Sequence, residues 1–119
     1  MNRVETGALG ERIAAEHLGE QGYEILERGW RCRWGEIDIV ARRGGVIAFV
    51  EVKTRRGTRF GHPFEAITST KCAHLRRAAG AWFAAQGRPV GARARINAVA
   101  VLLRADGSAA VEHLRGVCS

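Results

Sequence analysis

Long apolar runs are missing from this chain of 119 residues. No stretch approaches the ~20 apolar residues that a membrane-spanning helix needs. The opening Met1-Asn2-Arg3-Val4-Glu5-Thr6 lacks the apolar core of a secretory leader. A cytoplasmic protein without a membrane role is therefore expected. Cysteine is also scarce: Cys32, Cys72 and Cys118 are far apart and form no C-x-x-C pair. The odd count argues against a disulfide framework and the spacing against a zinc site, so buried or incidental thiols are expected. His17, His62, His74 and His113 show no ligand spacing either. Repeats, linkers and low-complexity tracts are absent. Nothing resembles a helix-turn-helix or zinc module, so base-specific reading is not expected.

Acid is in deficit as well. Twelve Asp+Glu face 19 Lys+Arg, for a formal net charge of +7. The sequence pI is about 10.6. This balance points to an anionic partner, with nucleic acid the first candidate. The basic residues are nearly all arginine, which suits bidentate phosphate contacts. Hydrophobic content of 46% is ordinary for a globular protein, and the length allows one core, so residues 1–119 are expected to form one domain.

The pattern along the chain predicts two helices and four or five strands. Thr6 is a candidate N-cap for a helix over 7–21, with Leu9, Ile13, Ala14 and Leu18 as its stripe and Gly22 at its end. Glu11, seven residues before Leu18, sits at the edge of that stripe. A first strand is expected over 23–33 and a hairpin over 34–54. A basic loop, Thr54 to Gly61, follows. A second helix starts near Pro63 or at Thr68 or Ser69 and runs to about Gln86, burying Leu75, Ala78, Ala79, Trp82 and Phe83. Residues 94–103 read as an apolar strand, and Ala105-Asp106-Gly107-Ser108 as a turn into a short last strand ending near Leu114. The order α-β-β-β-α-β(-β) predicts a mixed α/β sandwich with helices covering the sheet.

The hairpin carries the chemistry. Gly35-Glu36-Ile37-Asp38-Ile39-Val40 and Phe49-Val50-Glu51-Val52-Lys53 are apolar strands with acids and an amine at their centres. Gly44-Gly45 predicts a two-residue primed turn that pairs Arg43 with Val46. Along that ladder Asp38 falls opposite Glu51, where Cβ atoms are ~5 Å apart and like charges destabilise. A divalent cation between them reverses the sign of that interaction. Lys53 shares the face of Glu51, and Glu36 that of Asp38. A loop of Arg42–Gly45 would instead set Glu36 opposite Glu51. Hard cations such as Mg²⁺ prefer carboxylate oxygens, and Asp38, Glu51 and the Val52 carbonyl are candidate ligands. Lys53 is placed to orient or deprotonate a water and to offset charge on a phosphodiester undergoing hydrolysis. Arg55, Arg56 and Arg59 follow directly and are candidate phosphate contacts. Trp30 and Trp34 flank the hairpin as core packers, with base stacking a further option for Trp34. Glu65 is a candidate cleft or capping residue.

Asp38 followed by Glu51-Val52-Lys53 resembles the core of the PD-(D/E)XK nuclease superfamily. More of the chain is similar to the YraN-like bacterial family: Gly7-Ala8-Leu9-Gly10-Glu11, Gly22-Tyr23-Glu24-Ile25-Leu26, Gly35-Glu36-Ile37-Asp38 and Phe49-Val50-Glu51-Val52-Lys53-Thr54-Arg55. Phe60-Gly61, then Pro63 and Glu65-Ala66-Ile67, extend the resemblance over roughly residues 5–103. That family is uncharacterised and described as endonuclease-like, distantly similar to archaeal Holliday-junction resolvases. The resemblance implies a restriction-endonuclease-like fold, a catalytic core of Asp38, Glu51 and Lys53, and Glu11 as an added metal or water ligand. Lys71 matches the lysine that opens the long helix and is a candidate nucleic-acid contact. Where members often carry Arg-Phe-Asp, this chain has Arg95-Ile96-Asn97.

The reading is a small Mg²⁺- or Mn²⁺-dependent endonuclease acting on DNA, with branched DNA a candidate substrate and RNA the other nucleic acid open. A homodimer would suit a junction, because one domain of this size covers one scission site. Its competitors are a nucleic-acid-binding module with vestigial or partner-dependent catalysis, and an interaction domain without a nucleic-acid role.

Overall fold

The computed structural model describes residues 1–57, 62–87 and 93–118. Helix α1 (Arg3–Glu20) starts four residues earlier than Thr6 would allow. Asn2 is the cap: its Oδ1 accepts from Glu5 N at 2.8 Å, and Asn2 N donates back to the Glu5 carboxylate. This reciprocal box satisfies two otherwise orphaned amides. The helix ends at Gln21, and Gly22 follows with φ +89, a conformation that suits glycine.

Three antiparallel strands come next: β1 (Glu24–Cys32), β2 (Gly35–Arg43) and β3 (Val46–Arg55). Arg43 pairs with Val46 across Gly44-Gly45, the register expected of a two-residue turn. Both helix starts considered beyond the basic loop are used. Pro63–Ala66 forms a single 3-10 turn, and Thr68 caps α2 (Ser69–Ala85) by accepting from Lys71 N. Helix α2 crosses over to β4 (Arg93–Leu103), which therefore lies parallel to β3, and β5 (Ala109–Leu114) returns antiparallel to β4. The five strands form one sheet in sequence order.

Each helix covers one face. Ala14, Ala15 and Leu18 of α1 pack with Ile39, Ala41, Ala48, Val50, Val99 and Val101. Ala78, Ala79, Trp82 and Phe83 of α2 pack with Ile37, Val40, Ile47 and Phe49. Phe49, Trp82 and Phe83 meet edge to face with centroids 5.4–5.7 Å apart. Each such contact adds about 0.5–1.5 kcal/mol to the burial term. Among the described residues no helix is long and apolar enough to cross a membrane.

The cysteines depart from the expectation of incidental thiols. Cys72 on α2 and Cys118 in the C-terminal tail are disulfide-bonded, and Cys32 is free. Forty-six residues separate the bonded pair, so sequence spacing carried no sign of their proximity. The tail is docked independently of that bond. Val117 N donates to Ile96 O, Gly116 N to Asn97 Oδ1, and Arg76 Nη2 to Cys118 O at 2.6 Å. Cys118→Ser should lower unfolding free energy by about 2–4 kcal/mol in oxidising buffer, with no difference from wild type under a dithiol reductant. Urea titrations in the two buffers check this.

Candidate active site

The paired residues of β2 and β3 run only from Arg43↔Val46 to Ile39↔Val50. Beyond that, residues 35–37 of β2 pair with β1, while residues 51–55 of β3 pair with β4. The two central strands therefore part at Asp38. Ile37 and Ile39, two residues apart, pack in opposite cores, so the strand's alternation also breaks there. The Asp38 side chain takes over the missing ladder acceptor: Val52 N donates to its Oδ2 at 2.8 Å.

This break changes the expected cross-strand face of Glu36, Asp38, Glu51 and Lys53, although the Asp38 and Glu51 carboxyls still meet. Glu51 alternates with Val50 and Val52, which pack towards α1, so it turns towards α2. There its Oε2 lies 3.3 Å from Lys71 Nζ, and its Oε1 lies 3.6 Å from Lys53 Nζ. Glu51 is 5% exposed. The lysine–Oε2 pair has the distance of an ion pair but not the geometry of a hydrogen bond, so Oε2 is a buried acceptor without a donor among the described residues. Ala98 and Ala100 of β4 sit beside Glu51 and Lys53 and leave room for both.

On the other side, α1 brings Glu11 to the parting. One oxygen each from Glu11, Glu36 and Asp38 lie within 4.8 Å of one another. Outer contacts hold two of them, Arg28 Nε to Glu11 and Arg31 Nε to Glu36, both at 3.3 Å. Gly10 permits this approach: a Cβ at that position would collide with the Thr54 side chain of β3. The Asp38 carboxyl is raised from 3.8 to about 7. Burial is the largest cause, and the Glu51 charge the next; the Val52 N–H pulls the other way, while a side-chain hydrogen bond with Glu51 and the Glu11 charge raise it further. A divalent cation fits these residues. The donors are hard oxygens, two acids are crowded against a third, and a buried Glu51 oxygen lacks a donor. Glu11, Glu36 and Asp38 form the compact set, whereas Glu51 is engaged by lysines. Sequence spacing placed Glu36 only on the face of Asp38.

A cleft of about 560 Å³ opens over the parting. Glu11, Asp38, Val52, Lys53, Arg55 and Arg56 line it, with the first turns of α1 opposite. Arg56 Nη2 bridges to Thr6 Oγ1 and Met1 O, tying the end of β3 to the helix start. Arg55 donates to Thr54 O. Glu65 is exposed. Arg59 lies outside the described residues.

Asn97 belongs elsewhere. It is 1% exposed, its Oδ1 accepts from Gly116 N, and its Nδ2 lies 3.1 Å from His113 Nε2. His113 Nδ1 lies 2.8 Å from Gln21 Oε1. With a neutral His113 protonated on Nδ1, every member is satisfied. Burial pushes His113 down to about 4, helped by the charges of Arg115, His17 and Arg43. This polar knot joins β4, β5, the tail and the end of α1, so the amide at position 97 is structural here.

The model of the Uncharacterised protein family UPF0102 matches residues 10–101. A UPF0102 protein of Beutenbergia cavernae is 54% identical over 114 residues, covering 93% of each chain. One from Nocardioides sp. is 49% identical, covering 93% of this chain and 89% of that one. One from Mycobacterium ulcerans is 43% identical, covering 98% and 97%. The chain belongs to this family.

In metal-free buffer, Asp38 should make folding less favourable as pH rises. The folded protein keeps a proton that the unfolded chain releases near pH 3.8, so stability falls between about pH 4 and 7 and then levels. His113 acts in the opposite sense, losing stability as pH falls from 6.5 towards 4. The difference between wild type and Asp38→Asn isolates the first effect. It should turn against wild type by pH 7, and a pH-independent difference in urea unfolding would refute the assignment. Gly10→Ala should destabilise despite the better helix propensity of alanine. The overpacking cost against Thr54 is about 1–3 kcal/mol, measurable as a lowered melting temperature.

Proposed function

We propose that this member of UPF0102 is a metal-dependent endonuclease with a restriction-endonuclease-like fold, hydrolysing phosphodiester bonds in DNA. The observation that carries the reading is the carboxylate pair at the strand parting. Asp38 is raised by burial and by Glu51, and Lys53 Nζ stands 3.6 Å from Glu51 on the cleft wall. Like charges so placed cost stability unless they hold a cation.

In this reading Asp38, Glu51, Glu11 and the Val52 carbonyl would hold Mg²⁺ or Mn²⁺, with Glu36 adjacent. A bound divalent cation lowers the pKa of water and polarises the phosphate. The chain's residues do the rest. Val52 N–H fixes the Asp38 carboxylate, and Lys71 and Lys53 hold Glu51 from two sides. Lys53 orients the attacking water and offsets charge gathering on the phosphoryl oxygens. Arg55 and Arg56 contact the backbone of the substrate from the cleft rim. Branched DNA as the substrate, a homodimer and a cytoplasmic setting belong to the same proposal, with RNA as the alternative nucleic acid. In the cytosol thiols are kept reduced, and hydrogen bonds from Arg76, Gly116 and Val117 would then hold the tail without the disulfide.

The test is cleavage of labelled four-way junction, flap, single-stranded and duplex DNA with Mg²⁺ or Mn²⁺. Asp38→Asn and Lys53→Ala should each reduce cutting by about 100-fold or more while retaining the fold. Binding without metal-dependent cutting on any substrate would reject the enzyme in favour of a nucleic-acid-binding module.

A further inference from the structure

Away from the cleft, two guanidiniums converge on one indole. Arg33 Cζ lies 4.8 Å from the centre of the Trp34 ring, and Arg77 Cζ of α2 lies 5.0 Å from it. Trp34 is held in turn by packing against the core beneath α2. The two cations are thus within ~10 Å of each other, about one Debye length at 0.1 M salt. Cation–π contact offsets part of their repulsion. Among the described residues neither has a carboxylate at ion-pairing distance, unlike Arg28, Arg31 and Arg42. Both side chains are exposed.

Their surroundings repeat the sign. Helix α2 carries Lys71, His74, Arg76 and Arg77 and no acid. Lys71, at the Glu51 carboxylate, and Arg77 are six residues apart, about 9 Å along the helix axis. A nucleic-acid strand presents a charge every ~3.4 Å of duplex axis. Two guanidiniums within ~10 Å of each other lie within about three such steps of one strand, and α2 runs from Arg77 back to Lys71 at the site.

We infer that Arg33 and Arg77, pre-arranged on Trp34, form a phosphate-contacting platform that holds the nucleic-acid backbone as it leaves the cleft. The inference rests on the nucleic-acid reading above and extends it to a surface the reading did not use. Trp34 serves as the support of the arginines, so its ring is not the stacking surface for a base. Guanidiniums give bidentate phosphate contacts, which explains arginine at both positions.

The experiment is fluorescence anisotropy of a short labelled DNA duplex titrated with protein in EDTA, across a salt series. Wild type is compared with Arg33→Ala/Arg77→Ala and with Arg12→Ala/Arg104→Ala, which removes equal charge elsewhere. Circular dichroism confirms that each variant is folded. Each lost phosphate contact flattens the slope of log affinity against log salt by about 0.9, so the platform variant should lose about one to two in slope. The control variant should keep the wild-type slope. Equal flattening in both variants would show that only net charge matters and would overturn the platform, as would an unchanged slope or absence of wild-type binding. Cleavage is not read here, so a platform variant that loses slope in a protein that cuts nothing would leave the platform standing and remove the nuclease reading.

Discussion

The candidate site of this molecule depends on the parting of β2 and β3 at Asp38. A continued ladder would have placed Asp38 and Glu51 as direct cross-strand neighbours, a repulsive pair. Instead the strands separate, and one hydrogen bond from Val52 N to the Asp38 carboxylate closes the backbone account that the ladder would have closed. That bond favours the ionised carboxylate, yet burial and the Glu51 charge outweigh it, because the raised carboxyl remains raised with the bond in place. The site is thus held open by structure, and its Asp38 carboxyl meets no cation among the described residues.

The two helices bring complementary parts to this opening. Helix α1 supplies an acid: the missing side chain of Gly10 lets it lie against Thr54, and Glu11 then reaches Asp38 and Glu36. Arg56, bonded to Thr6 and Met1 O, fixes the same contact from the strand side. Helix α2 supplies an amine: Thr68 caps it by accepting from Lys71 N, and the side chain of that lysine meets Glu51. A carboxylate cluster on the α1 side and a lysine-held carboxylate on the α2 side therefore meet at the gap, where Asp38 and Glu51 are in hydrogen-bonding contact.

Much of this was legible in the chain. Gly44-Gly45 fixed the hairpin register, the spacing of apolar residues gave both helices and all five strands, and the resemblance to the YraN-like family holds in the match to UPF0102. Local signals sufficed because those features are local. The helix start was misplaced because Asn2 and Glu5 form a box that outcompetes Thr6. The break in alternation at Asp38 was invisible because it arises from tertiary packing on both faces, with no glycine or proline to mark it. Proximity across 46 residues hid the Cys72–Cys118 bond, and the His113–Gln21 link of the polar knot spans 92. Gly10, by contrast, left a usable sign: glycine inside a helix costs about 1 kcal/mol relative to alanine, so its presence calls for a packing reason.

The distribution of charge adds the last constraint. The chain has twelve acids and a surplus of arginine, so an acid placed at random has many cations to meet. Glu11, Glu24 and Glu36 meet arginines, and Glu51 meets two lysines. Asp38 meets none among the described residues, and its neighbours at the parting are other carboxylates. An arginine could have neutralised it at little structural cost in so basic a protein. Arginine would also have filled the opening and fixed the charge permanently. A basic surface around an unneutralised Asp38 would instead attract a polyanion and leave the counter-charge at that carboxyl to be supplied from solution. That division of sign is what the proposed site, holding a cation and a phosphate together, would require.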